Sequence, residues 1–397
     1  MTLRPKLFSF FSGIGFLDLG FEASGFDIVY VNEINPSYVE AYRYSRQVLN
    51  LPLPEYGCHY AEDGDVEQLI EGEQALKLWD LIQDARKSTD IIGFIGGPPC
   101  PDFSVGGKNR GKDGDNGKLS AAYVKLICQY QPDFFLFENV KGLWKTKKHR
   151  LFFEQLKDQL NRAGYLLTER LINAIEYGVP QDRERIILLG FHRSLVKDIG
   201  LSPTAQFMPE GVFSWMTSIV YPKPRVFACP WAATDPFQEN SHRPCSNDII
   251  QELTVEYWFR KNDVLNHPNA KHHFKPRAGL KRFLSVAEGD DSRKSYKRLH
   301  RWRYSPTACY GNNEVHLHPY KARRLSVAET LAIQSLPKNF VLPDDMSLTN
   351  MFKTIGNGVP YLASKAIAQS ILDFLSTTEW HYEQPKQKRL KLPLLSS

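Results

Sequence analysis

Short apolar runs alternate with longer amphipathic stretches through the first 190 residues, and this alternation limits the chain to few architectures. Segments 7–11, 27–31, 90–95, 133–137 and 185–191 read as buried strands; 36–48, 118–130 and 149–163 read as helices. Strands and helices in turn build crossover units, so an α/β fold with a doubly wound, mostly parallel sheet is predicted. Glycine-rich segments follow several strand ends, the edge on which such sheets bind ligands.

After about residue 192 the texture changes. Pro222, Pro224, Pro230, Pro236 and Pro244 cluster and the periodicity fades. Helical patterns return at 326–335 and, past a Gly-Asn-Gly turn, at 359–374. The predicted organisation is a catalytic and cofactor-binding domain at 1–191 and a smaller irregular domain at 192–320. Segment 321–383 then returns to complete the first domain, and 384–397 is a basic tail.

Charge is unevenly spread. Between Tyr257 and Arg324 stand 16 Lys/Arg against 5 Asp/Glu, whereas the rest of the chain holds 34 against 39. The same stretch carries six histidines and the aromatics Tyr257, Trp258, Phe259, Phe274, Phe283, Tyr296, Trp302 and Tyr304. Cations for phosphates beside rings for bases are what nucleic acid requires; a solvated basic face is the plainer alternative. No apolar run approaches the ~20 residues that span a bilayer. The N-terminus has no signal-peptide cleavage pattern, so a cytoplasmic protein without membrane contact is expected. Cys58, Cys100, Cys128, Cys229, Cys245 and Cys309 form no C-x-x-C pair. That pattern argues against a disulfide framework or a zinc ribbon, and most of these thiols are expected in the core.

Four strand ends carry candidate chemistry. Phe11-Ser-Gly13-Ile-Gly15 lets the backbone turn tightly before a helix N-terminus, and Glu33 stands about 20 residues on, where an acid can bind ribose hydroxyls. A plain turn with a solvated glutamate is the alternative. Gly96-Gly97-Pro98-Pro99-Cys100-Pro101 brackets a thiol between prolines that restrict its orientation, as a nucleophile needs; a buried structural cysteine is the ordinary reading. A zinc deaminase would require a second cysteine three positions on, where Phe103 stands, so no metal is expected. Segment 104–118, rich in glycine and basic residues, reads as a lid over an anionic substrate or as a linker. Glu138 closes the fourth strand, where it could protonate a ring nitrogen or simply be solvated. Gln181-Asp-Arg183-Glu-Arg185 precedes another strand, and since alternate side chains share a face, Arg183 and Arg185 are expected to point the same way, toward a shared anion or base.

Taken in order, F-S-G-I-G, the acid after the second strand, P-P-C, E-N-V, Q-x-R-x-R, R-R-L-S-V-x-E with Q-S-L-P, and G-N-G-V-P span nearly the whole chain. In this order and spacing the chain resembles the DNA cytosine-5 methyltransferases, with a Rossmann-like S-adenosylmethionine-binding fold and a target-recognition domain at 192–320. The resemblance implies that Phe11, Gly13, Gly15, Glu33, Asp65, Val66, Pro99, Leu119, Asn357 and Val359 face the cofactor. It makes Cys100 the nucleophile, Glu138 the group on the base's N3 edge, and Arg183 and Arg185 the arginines near a flipped-out cytosine. Ser104, Lys108, Arg110 and Thr307 are the implied DNA contacts. The chain departs from the family pattern at Ser9, Phe16, Ile34, Pro101 and Asn116-Gly117. With no long regulatory region ahead of the first motif, a stand-alone prokaryotic modification enzyme is expected. It would be a monomer acting on duplex DNA, paired with an independent restriction endonuclease. A tRNA-methylating member of the same family and a non-catalytic DNA-binding protein on this scaffold are the competing expectations.

Overall fold

The computed structural model describes residues 3–57, 64–89, 91–99, 115–196, 204–276, 279–293, 295–307, 310 and 315–377. Seven strands form its central sheet: β1 (Lys6–Phe10), β2 (Asp27–Asn32), β3 (Tyr56–Gly57), β4 (Ile92–Gly96), β5 (Phe134–Val140), β6 (Tyr165–Asn173) and β8 (Glu184–His192). Their order is β3-β2-β1-β4-β5-β8-β6. The pairs among β1 to β5 are parallel, and β8 runs antiparallel between β5 and β6. Chain order reverses between β1 and β4, which opens a crevice at their C-terminal ends.

Side chains alternate across the sheet, so each strand feeds two cores. Leu7, Phe134, Leu136, Ile187 and Leu189 face one layer, which holds α1 (Phe16–Glu22) and α12 (Tyr361–Thr377). Phe8, Phe10, Phe94, Phe135 and Phe137 face the other, built from α3 (Glu73–Arg86), α4 (Asp115–Tyr130) and α6 (Lys147–Arg162). Strands buried on both faces read as continuous apolar runs, which is why they were legible in the sequence. The edge strand β6 was not: its middle, Thr168 to Leu171, is only half-buried and reads as polar. Helix α3 was also missed, although Ala75, Leu78, Ile82 and Ala85 are buried along one stripe.

Helix starts follow capping chemistry. Asn35 accepts the Ser37 N–H ahead of α2 (Pro36–Val48), with proline at the first helical position. Ser326 and Glu329 form a capping box on α10 (Val327–Ile333), and Ser347 caps α11 (Leu348–Asn357). Between residue 204 and α10 the described chain is largely irregular, with short helices α7 (Lys223–Ala228), α8 (Val255–Lys261) and α9 (Leu280–Ser285). Trp258 and Phe259 on α8 pack against Ala328, Ala332 and Ile333 of α10, which seats this segment on the C-terminal part of the chain.

The expectation of buried cysteines fails for those described: Cys128, Cys229 and Cys245 are each partly exposed. Among the described residues no helix is long and apolar enough to cross a membrane.

Candidate active site

Parallel strands send their C-terminal ends to one edge, so the residues that follow them must gather there. Phe10 is level with Asn32 on one side and Gly96 on the other, and Gly96 is level with Phe137. Glu33, Phe11, Gly97 and Glu138 therefore line up along the crevice. Because β8 is antiparallel, its start reaches the same edge, with Arg185 opposite Val140.

The turn after β1 is left-handed at three places: Phe11 (φ 54°), Gly13 (φ 57°) and Gly15 (φ 84°). Phe11 accepts that conformation with its ring edge-on to Tyr123, 6.0 Å between centroids. Gly15 lies flat on the Tyr42 ring, where a Cβ would come within 2.6 Å of a ring carbon. In front of Gly13 the space is open as far as Thr354 Oγ1, 3.7 Å from where a Cβ would stand.

Glu33 ties the neighbouring loops together. One carboxylate oxygen accepts the Gly13 N–H at 2.9 Å and the other the Asn35 N–H at 2.9 Å. The Ile34 N–H adds a third backbone donor to the same carboxylate, which still has acceptor capacity to spare. Burial pushes this carboxyl up, against the pull of those N–H groups. The loop bearing Asp65 packs directly on Glu33 and Ile34, since a Cβ on Gly64 would come 2.8 Å from Ile34 Cα. Asp65 caps a short 3-10 turn through the Glu67 N–H, with Val66 buried beneath. Ile34 itself is 66% exposed, an apolar side chain next to Glu33.

At the other end of the crevice Glu138 is buried, and Arg185 Nε meets its Oε1 at 3.0 Å. Burial raises the Glu138 carboxyl, with Arg185 and Arg183 drawing it back. Gly97 is pressed against it: a Cβ there would stand 2.8 Å from Glu138 Oε2. Asn139 Nδ2 donates to the Pro98 carbonyl at 3.4 Å, and Pro99 beyond it is exposed. Cys100, Ser104, Lys108 and Arg110 lie outside the described residues.

The sequence model of the C-5 cytosine-specific DNA methylase family matches residues 6–373. The chain belongs to that family. It is a DNA (cytosine-5-)-methyltransferase. It is 56% identical over 383 residues to the type II methyltransferase M.NmeDI of Neisseria meningitidis serogroup C, covering 96% of this chain and 86% of that one. With M.FnuDI of Fusobacterium nucleatum it shares 28% identity over 417 residues, covering 97% and 99%. Among solved structures the fold matches an Escherichia coli protein described as a DNA modification methyltransferase encoded within a prophage (TM-score 0.63, 21% identity, 94% of this chain and 100% of that one). It also matches Spodoptera frugiperda DNMT2 (TM-score 0.56, 15% identity, 94% and 100%).

Within this methyltransferase the remaining sequence-predicted residues divide. Asn357 is exposed at the end of α11, Val359 is buried beside it, and Leu119 is half-buried on α4. Thr307 Oγ1 donates to the Asp182 carbonyl at 2.6 Å and so stitches two short strands, β7 (Gln181–Asp182) and β10 (Ser305–Pro306). Arg183 is nearly inaccessible and donates to the Gly356 and Gly358 carbonyls at 2.9 and 3.2 Å.

Of the aromatics offered as base-stacking groups, Trp258, Phe259, Phe283 and Trp302 are core residues instead. The sequence could not separate these roles, because a ring in an irregular segment has no periodicity to reveal which way it faces. Reasoning from motifs also passed over Lys141 and Lys223, whose ammonium groups both donate to Glu184 beside the Glu138–Arg185 pair.

Proposed function

We propose that this enzyme is the modification methyltransferase of a type II restriction-modification system, methylating carbon 5 of a flipped-out cytosine within a specific duplex DNA sequence. The 56% identity to a type II methyltransferase across 96% of the chain carries this reading. On it, segment 192–320 reads the target, 321–383 completes the catalytic domain, and an independent endonuclease cuts the unmodified sequence.

The crevice suits S-adenosylmethionine. Glu33 offers its carboxylate to a ribose diol, Asp65 a carboxylate for an exocyclic amine, and exposed Ile34 an apolar surface beside Glu33. Phe11, Gly13, Gly15, Val66, Pro99, Leu119, Asn357 and Val359 complete the set of residues that would hold it. Bound there, it supplies an electrophilic methyl.

The chain's own residues prepare the acceptor. A cytosine in a duplex must leave the stack, at a cost of a few kcal/mol. Cys100 thiolate adds to carbon 6, and its electron pair enters the ring. Glu138, held high by burial, keeps a proton at N3, so that density collects at carbon 5. Arg185 fixes the Glu138 carboxyl through Nε, is itself steadied by Nη1 donating to the Glu184 carbonyl at 2.8 Å, and offers Nη2 to the base. After methylation, loss of the carbon-5 proton returns its pair to the ring and expels the Cys100 thiolate. Ser104, Lys108 and Arg110 on the lid meet phosphate.

Transfer of labelled methyl to duplex DNA of mixed sequence, with tRNA in parallel, tests this function. Label recovered as 5-methylcytosine at one recurring DNA sequence is the expected result. Label in tRNA alone would overturn it.

A further inference from the structure

Three glutamine and arginine side chains that are almost wholly sealed from solvent meet at the Gly356-Asn357-Gly358 turn: Gln181 (0% exposed), Gln334 (0%) and Arg183 (1%). Gln181 Nε2 donates to Gln334 Oε1 at 3.2 Å across 153 residues of sequence. Gln334 Nε2 in turn donates to the Ile355 carbonyl and, at 3.4 Å, to that of Gly358. From the β8 side Arg183 Nη2 reaches the carbonyls of Gly356, Asn357 and Gly358 at 2.9, 3.5 and 3.2 Å. The last carbonyls of a helix have no intrahelical partner, and buried ones must be satisfied from elsewhere. Here the donors come from two separate segments of the molecule.

The opposite side of the turn rests on Phe16. A Cβ on Gly358 would come 2.3 Å from a carbon of that ring, and Phe16 is 2% exposed, edge-on to Phe340. Phe16 directly follows Gly15 of the first glycine turn. The second turn is thus clamped between buried donors and the first residue of α1.

We infer that Gln181, Gln334 and Arg183 act as positioning residues: they press the 356–358 turn onto Phe16 and thereby set the place of Asn357 across the cofactor crevice from Gly13. Arg183 on this account acts through the turn, while Arg185 makes the direct contact with Glu138 and both guanidinium charges draw that carboxyl down. The inference rests on reading the crevice as the S-adenosylmethionine site. It implies that the link between β7 and β8 moves with the cofactor-side turn, because Arg183 stands in that link and holds the turn.

Calorimetric titration of the full chain with S-adenosylmethionine tests it, alongside DNA affinity measured without cofactor and steady-state transfer. Loss of one buried hydrogen-bond pair corresponds to about a tenfold change in an equilibrium constant. Gln334→Met and Arg183→Lys should each weaken cofactor binding by about that factor. In Gln334→Met, DNA affinity should stay within about twofold, and kcat at saturating cofactor within about threefold, of the wild type. Gly358→Ala should weaken cofactor binding likewise, and Phe16→Leu should restore part of it in the double variant. That pair keeps the test open if Gln334→Met does not fold. Unchanged cofactor affinity in Gln334→Met, or an Arg183→Lys enzyme that loses kcat while binding cofactor normally, overturns the inference. A wild-type chain that does not bind S-adenosylmethionine would instead remove the cofactor reading on which it stands.

Discussion

Asp18 sits beneath the first glycine turn, and among the described residues its hydrogen bonds come from two hydroxyls, with the Arg46 charge nearby. Ser9 Oγ donates to one of its oxygens at 2.6 Å and Tyr42 OH to the other at 3.0 Å, holding the ring on which Gly15 rests. Burial raises its carboxyl from 3.8 to about 6, against those hydrogen bonds. A carboxyl whose folded pKa is raised adds stability below its unfolded pKa, and that stability is lost as pH rises through the folded value. The displacement is worth about 3 kcal/mol between pH 4 and pH 7. Asp18→Asn cannot ionise. Urea unfolding of the two proteins should therefore show the wild type losing stability relative to Asp18→Asn across that window. A difference independent of pH would show that Asp18 is not the titrating group. The proposed nucleophile gives the second expectation at this scale. Cys100→Ala should retain DNA binding and fall by more than ~1,000-fold in methyl transfer, measured by label incorporation. Near-normal turnover by that variant would refute the covalent scheme.

Helices α1 and α12 cross at a glycine. A Cβ on Gly20 would stand 2.3 Å from Ser364 Oγ and 2.6 Å from the backbone nitrogen of Lys365. Ser364 Oγ also donates to the Leu17 carbonyl at 2.6 Å, and Ser24 Oγ to the Lys365 carbonyl at 3.1 Å. Backbone cannot retreat as a side chain can, so Gly20→Ala should destabilise the protein by about 3 kcal/mol, read as a lowered urea midpoint with an unchanged slope. The same substitution at Gly72, where nothing stands within 4 Å, meets no such contact. Its cost is confined to the positive φ of 83°. Helix α10 shows the other way an element is secured. Arg323 binds both oxygens of Glu329, which also accepts the Ser326 N–H, and His318 packs against the carboxylate. Burial would raise Glu329, but these partners hold it at about 2.

At the scale of the whole molecule, charge on paper overstates charge on offer. Arg298 is fully buried on the Phe237 ring and donates to the carbonyls of Val286, Phe283 and His318. Arg301 pairs with buried Glu288, Arg303 with the Ala232 and Gly289 carbonyls, and Arg323 with Glu329. These cations hold the irregular segment together where it has few ladder hydrogen bonds of its own. If all 16 basic residues between Tyr257 and Arg324 met phosphate, the logarithm of DNA affinity would fall with that of salt at a slope near −14. The measured slope should be well short of that, with Arg298→Ala unfolding the segment rather than merely flattening the slope. A slope near −14 would mean that the internal pairs open on DNA.

The α/β class, five of the seven sheet strands and the order of the chemical motifs were determined by the sequence itself. Buried parallel strands announce themselves through unbroken apolar runs, and reacting groups through residue type at strand ends. Such signals are local, written within ten or so residues. What only the tertiary structure decided is which way a side chain faces when no period governs it. Trp258 and Trp302 pack into the core although they stand in a basic segment, and Arg183 turns onto the 356–358 turn although its neighbour Arg185 faces Glu138. Gln181 finds Gln334 only after two distant segments close on each other. Those pairings depend on which surfaces are left unsatisfied when the whole chain packs, and no local pattern carries that information.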